Sequence, residues 1–183
     1  MSKWITILVT GYLAIGSGSL TAQTEITSPL PEIVRTQDAD LQMVGNTRLK
    51  RFGLHIYDAS YWVQEKDTIG SPGGPIRALS IKYARNINQE KLLSSTKKEW
   101  QRLAITKRFP TDLWLSKLKE LWPNVKKGDQ LVVVSHPDGT SSFFSHHALL
   151  GEINDPDFGP SFLAIWVDER ARFSKNRKEL LGD

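Results

Sequence analysis

An α+β domain, in which one large antiparallel sheet is covered by helices on one face, is the fold class the sequence predicts, and three observations predict it. Apolar residues recur with period two in the first half of the chain, with helical spacing between residues 88 and 125, and again with period two on both sides of a Pro- and Gly-containing turn at 136–139. Strands, then a helix pair, then a hairpin, then further helices is the order of an α+β architecture, not of alternating parallel βαβ units. A length of 183 residues fits one such domain with a short appendage.

The elements follow in order. Lys3 gives a positive start, the run from Trp4 to Ile15 is mostly apolar, and the small residues after Gly16 end in Leu20-Thr21-Ala22. This is the pattern of a secretory signal peptide over residues 1–22, with cleavage after Ala22; the apolar run falls short of the roughly 20 residues a spanning helix needs. Residues 23–40, carrying Pro29 and Pro31, read as an extended lead-in, and the domain proper as 41–183. Residues 54–63 are aromatic and β-branched without Gly or Pro, hence a strand. After a turn-rich connection at 66–75, residues 76–83 alternate, with Leu79, Ile81 and Tyr83 on one side and Ser80 and Lys82 on the other, which predicts a dry and a wet face.

Asn88 is a candidate cap for a helix with Leu92, Thr96, Trp100 and Leu103 along its stripe. Thr111 is expected to cap the next helix, whose stripe runs through Leu113 or Trp114, Leu118, Leu121, Trp122 and Val125 to a stop at Gly128. Residues 130–135 and 140–146 form a hairpin across His136-Pro137-Asp138-Gly139. Asp155 or Asp157 opens a third helix through Phe158, Phe162, Ile165 and Trp166, and residues 174–181 form a last one, closed by Gly182.

Composition excludes several chemistries. The chain has no cysteine, so disulfides, thiolate metal sites and cysteine nucleophiles are ruled out. A net charge of +4 is mild basicity, and the basic pairs Lys97-Lys98, Lys107-Arg108 and Lys126-Lys127, interleaved with Trp100, Trp114 and Trp122, read as solvated cations over a buried stripe; no nucleic-acid partner is predicted. His146-His147 has no nearby His or Cys to complete a ligand set, so no metal and no cofactor is expected. No second segment approaches spanning length, so no stable membrane insertion is expected after signal cleavage, and the mature product is expected in the periplasm or secreted.

Two blocks carry a family resemblance. Val44-Gly45-Asn46-Thr47-Arg48-Leu49 followed by Phe52-Gly53-Leu54-His55-Ile56-Tyr57-Asp58-Ala59-Ser60-Tyr61-Trp62 is the first; the second runs from Trp122-Pro123 through Lys126-Lys127-Gly128-Asp129 and Gly151-Glu152-Ile153-Asn154-Asp155-Pro156-Asp157-Phe158 to Leu180-Leu181-Gly182. In order and spacing these resemble the bacterial chalcone isomerase-like domain over about residues 41–182. The resemblance implies an open-faced β-sandwich: a large antiparallel sheet, a helical layer over it and a ligand cleft between them.

The plant isomerases of that superfamily use an arginine, a tyrosine and hydroxyl residues to hold a phenolate beside an enone and to receive developing enolate charge. By resemblance Arg48, or Arg51, matches the arginine and Ser161 a late hydroxyl. The strand threonine falls opposite Phe52, and every tyrosine of this chain precedes residue 84, whereas the isomerases carry theirs later. The resemblance is therefore one of fold and cleft, with no catalytic residue assigned. Candidate ligand contacts are Arg48, Arg51, Tyr57, Tyr83, Arg85 and Ser161. Each also has a structural reading: the arginines as surface or paired cations, the tyrosines as core aromatics.

Three functions stay open at this point. The first is an exported binding protein for a small apolar or amphipathic, fatty-acid-like ligand. The second is an isomerase or intramolecular lyase acting on an unsaturated carbonyl compound. The third is a structural or interaction protein of the cell envelope whose cleft is filled by its own side chains.

Overall fold

The structure is a computed structural model, and it describes residues 28–38, 40–64 and 74–183. The signal-peptide reading of residues 1–22 and most of the turn-rich connection at 66–75 lie outside these residues. Among the described residues, six antiparallel strands form one sheet in simple sequential order: β1 (Leu41–Arg51), β2 (Leu54–Gln64), β3 (Arg77–Tyr83), β4 (Gln130–Ser135), β5 (Thr140–Ser145) and β6 (Leu149–Asn154). Helices α2 (Gln89–Arg102) and α3 (Thr111–Leu121) lie between β3 and β4, and α4 (Phe158–Val167) and α5 (Ser174–Leu181) follow β6. The short helix α1 (Glu32–Gln37) precedes β1. The expected α+β class, an antiparallel sheet with a helical layer, is the observed one.

Local sequence explains most boundaries. Asn88 caps α2 as expected, its Oδ1 accepting from the Lys91 N–H at 2.9 Å. Thr111 does not cap α3: Pro110 holds the cap position and Thr111 is the first helical residue. That helix stops at Leu121, seven residues before Gly128, because Pro123 forces Trp122 into extended backbone (ψ 133). Val125 pairs instead with Ile87 in an isolated bridge. At the start of α4 the side chain of Asp157 makes no cap, while Asp155 accepts from the Asp157 N–H at 3.0 Å and from Trp114 Nε1 at 2.8 Å. Gly182, at φ 75, closes α5 in the left-handed conformation glycine favours.

Two strands were not legible from periodicity. In β1 the register shifts between Met43 and Gly45, which breaks the alternation. Gly45 also meets α5 backbone to backbone, since a Cβ there would stand 2.7 Å from the Leu180 carbonyl oxygen. In β6 another shift falls opposite Phe143 and Phe144.

The face of the sheet under α2–α5 carries the main core. Ala59, Tyr61, Leu79, Ile81, Val133 and Phe143 meet Trp100, Trp114, Leu118, Phe158 and Phe162 from the helices. The opposite face is not the wet one expected from Ser80 and Lys82. Leu41, Trp62, Ala78, Val132, Val134 and Phe144 form a second core there, covered by Leu30 and by Val34 of α1. The lead-in is thus partly helical, and it closes that face. Its buried polar groups are paired: Ser28 Oγ lies 2.9 Å from Ser80 Oγ, Ser60 donates to the Ser28 carbonyl, and Gln130 Nε2 donates to the Pro29 carbonyl at 2.5 Å and to Ser80 at 2.6 Å. Ser80 is therefore buried by hydrogen bonding to the lead-in, which strand alternation alone could not reveal.

Candidate functional site between sheet and helices

Six large rings fill the middle of the layer between sheet and helices. Trp100 stands edge-on to Trp114, with centroids 5.5 Å apart, and to Phe158 at 6.2 Å; Phe143 meets Phe158 at 5.9 Å and Phe162 at 5.6 Å; Trp122 meets Phe143 at 5.9 Å. Such edge-to-face pairs lock the layer beyond the area they bury. Trp100 Nε1 donates to the Ser161 carbonyl at 3.0 Å and so joins α2 to α4.

Tyr57 and Tyr83 are direct cross-strand partners on this same face, with ring centroids 6.5 Å apart at 74°. The Tyr57 hydroxyl accepts a hydrogen bond of 3.0 Å from Trp166 Nε1 at the end of α4. Burial pushes the Tyr57 phenol up to about 12; the Trp166 bond opposes that shift and the negative charge of Glu99 adds to it. Burial also raises Tyr83, and Tyr57 beside it raises it further. Both phenols stay protonated at neutral pH, so they can donate hydrogen bonds but cannot act as general bases. Glu99 is itself held between Arg102, at 2.7 Å, and Arg172, at 2.8 Å.

Two enclosed side-chain atoms of this layer, Trp122 Nε1 and Ser141 Oγ, lack a partner among the described residues. The hydroxyl of Tyr83, a residue 7% exposed, makes no hydrogen bond there either, but it is not one of the enclosed atoms. Enclosed polar groups are almost always satisfied, so an unmet donor in a packed layer calls for an acceptor from elsewhere. Trp122 reads from its spacing as a helix-stripe residue; it stands instead at the C-cap of α3 in extended backbone, with its indole N–H unpaired among the described residues.

The other candidate residues fall elsewhere. Arg48 stands on the opposite face from the tyrosines, where its Nε bonds Asp58 Oδ1 at 2.7 Å and its Nη2 bonds Oδ2 at 3.3 Å. His55 Nε2 joins the same carboxylate at 3.0 Å. Arg51 is exposed at the β1–β2 turn, its guanidinium 5.3 Å from the centre of the Phe52 ring. Arg85 is exposed just past β3. Ser161 is buried in α4, with its carbonyl engaged by Trp100. Of the six, the structure brings together Tyr57 and Tyr83 and joins neither to an arginine of the set. Strand parity sets the place of Arg48: residue 48 pairs with Asp58, and Asp58 points away from the face that Tyr57 and Ala59 share.

Comparison with known proteins follows the same lines. The sequence matches the family model for chalcone isomerase-like proteins over residues 23–182. No curated protein matches it. Among solved structures, a fatty-acid binding protein of Arabidopsis thaliana superposes with a TM-score of 0.61 at 11% sequence identity, covering 78% of this chain and 87% of that one. At that identity the likeness is one of fold.

Proposed function

The chain belongs to the chalcone isomerase-like family, and from that premise we propose that it binds an apolar or amphipathic, fatty-acid-like ligand between the sheet and the helices. The carrying observation is Trp122 Nε1, an enclosed donor without a partner among the described residues, on a layer lined mostly with apolar groups, with the hydrogen-bond-free Tyr83 hydroxyl on the same sheet face as a second donor. A carboxylate or carbonyl oxygen is the acceptor such donors fit, and an acyl chain is the body such a lining fits. Ile87, Leu92, Ile165 and Trp166, half-buried at the border of the main core, are the side chains we assign to the tail. The fatty-acid binding protein of the same fold supports the ligand class. With both phenols protonated and no arginine of the candidate set beside them, the site favours holding a ligand over cyclising one.

Tyr83→Phe removes one donor and little volume, while Trp122→Phe removes one donor and shrinks a buried ring packed on Phe143 and Phe162. Each is expected to weaken binding of a fatty acid by roughly ten- to a hundredfold, the worth of one hydrogen bond to a charged acceptor, with the thermal stability of the ligand-free protein kept in Tyr83→Phe and lowered in Trp122→Phe. Unchanged affinity in both variants would remove the head-group assignment.

The ring cluster that fills the layer favours a second reading, a structural or interaction protein of the cell envelope. Native mass spectrometry of the purified protein separates the two: a copurified acyl ligand supports the carrier, and its absence favours the structural protein. Export belongs to the proposal as well, on the strength of the signal-like residues 1–22. N-terminal sequencing of protein recovered outside the cytoplasm is expected to begin at Gln23; a start at Met1 would mean a retained leader.

A further inference from the structure

The end of the sheet where β1, β3 and β5 finish and β2, β4 and β6 begin presents an unusual tip. Arg51 and Leu54 flank a two-residue loop, Phe52-Gly53, with φ of 50 and 75. Two positive φ values in such a loop favour Asn, Asp or Gly, and a bulky residue there is conformationally costly. Phe52 is also 89% exposed, and Leu54, at 51%, is its exposed neighbour. A large apolar residue thus sits where both backbone strain and hydration oppose it, and its ring contact is Arg51. Around it, exposed Lys50, Arg51, Arg85, Lys126 and Lys127 are gathered at one sheet end, with none of them in an ion pair among the described residues. The nearby acids are already engaged in part: Asp58 by Arg48 and His55, and Asp129 by the Lys126 N–H. Glu90, in the first turn of α2, offsets one charge.

We propose that this tip docks onto an anionic lipid bilayer, with Phe52 and Leu54 entering the headgroup region and the surrounding cations meeting lipid phosphates. Aromatic and aliphatic groups beside basic residues are the composition of a peripheral membrane contact, and charge complementarity selects an anionic surface over a neutral one. Docking needs neither a ligand in the interior nor the apolar run at the N-terminus.

The cysteine-free chain permits a direct test on the full-length protein. A spin label is placed at Leu54→Cys, or at the control Leu113→Cys, which is 56% exposed on α3. Vesicles of phosphatidylcholine are compared with vesicles containing about one-third phosphatidylserine. The label at 54 is expected to move out of water only on the anionic vesicles, the label at 113 to stay in water, and added Phe52→Asn to return the label at 54 to water. Because Asn tolerates positive φ, Phe52→Asn is expected to leave the thermal midpoint unchanged or raised. The proposal is overturned if the label at 54 stays in water on both vesicles, as a tip built for a protein partner would, or if both labels are immersed alike. It is equally overturned if Phe52→Asn leaves the immersion intact or lowers the midpoint, which would make Phe52 a structural residue.

Discussion

Trp100→Ala is expected to lower the free energy of unfolding by about 3–5 kcal/mol, the range for deleting a large buried aromatic side chain. Trp100 is fully buried and stands edge-on to Trp114, Phe158 and Phe162. Its removal leaves a void that these rings cannot close without leaving their other partners. It also removes the hydrogen bond from the Trp100 indole to the Ser161 carbonyl that ties α2 to α4. Against the roughly 5–15 kcal/mol by which domains are stable, that is a large fraction. Trp100→Phe keeps a ring and forfeits the hydrogen bond, so a loss of about 1–2 kcal/mol is expected. Urea unfolding of both variants checks the order; a loss below about 1 kcal/mol for Trp100→Ala would mean that the layer can repack or fill from outside.

Shortening a bound fatty acid by four carbons is expected to weaken binding by about 3 kcal/mol, at about 0.8 kcal/mol per buried methylene, or about 100- to 200-fold. The head contributes less. One donated hydrogen bond to a carboxylate is worth about 1.5–3 kcal/mol, and a fatty alcohol of equal length still accepts from Tyr83, so its loss is modest. The tail therefore dominates affinity, as expected where the lining is apolar and the polar groups are few. A head-dominated site would show the reverse order, with the alcohol failing to bind and chain length mattering little.

Much of the architecture was legible because it rests on local signals. The capping Asn88, the turn at 136–139, Gly182 and the core-facing stripes of α2 and α4 each act within a few residues, and each appears where spacing places it. What escaped depends on distant partners. The lead-in folds into α1 because Val34 and Leu30 find an apolar sheet face, and Ser80 is buried because Ser28 and Gln130 reach it. The bulges in β1 and β6 interrupt the alternation by which strands are recognised. At the candidate site, Tyr57 and Tyr83 were readable as two residues on one sheet face, while the unpaired state of Trp122 Nε1 required the three-dimensional packing around it. Arg48 was placed by resemblance, and strand parity sends it to the other face.

The central claim is that the layer between sheet and helices accepts an acyl ligand. Calorimetric titration of the delipidated protein with saturated fatty acids from medium to long chain tests it most directly. Saturable binding of one ligand per chain is predicted, tightening with each added methylene and weakened by Tyr83→Phe. Absence of binding at every chain length would contradict the claim and leave a protein whose interior is occupied by its own rings.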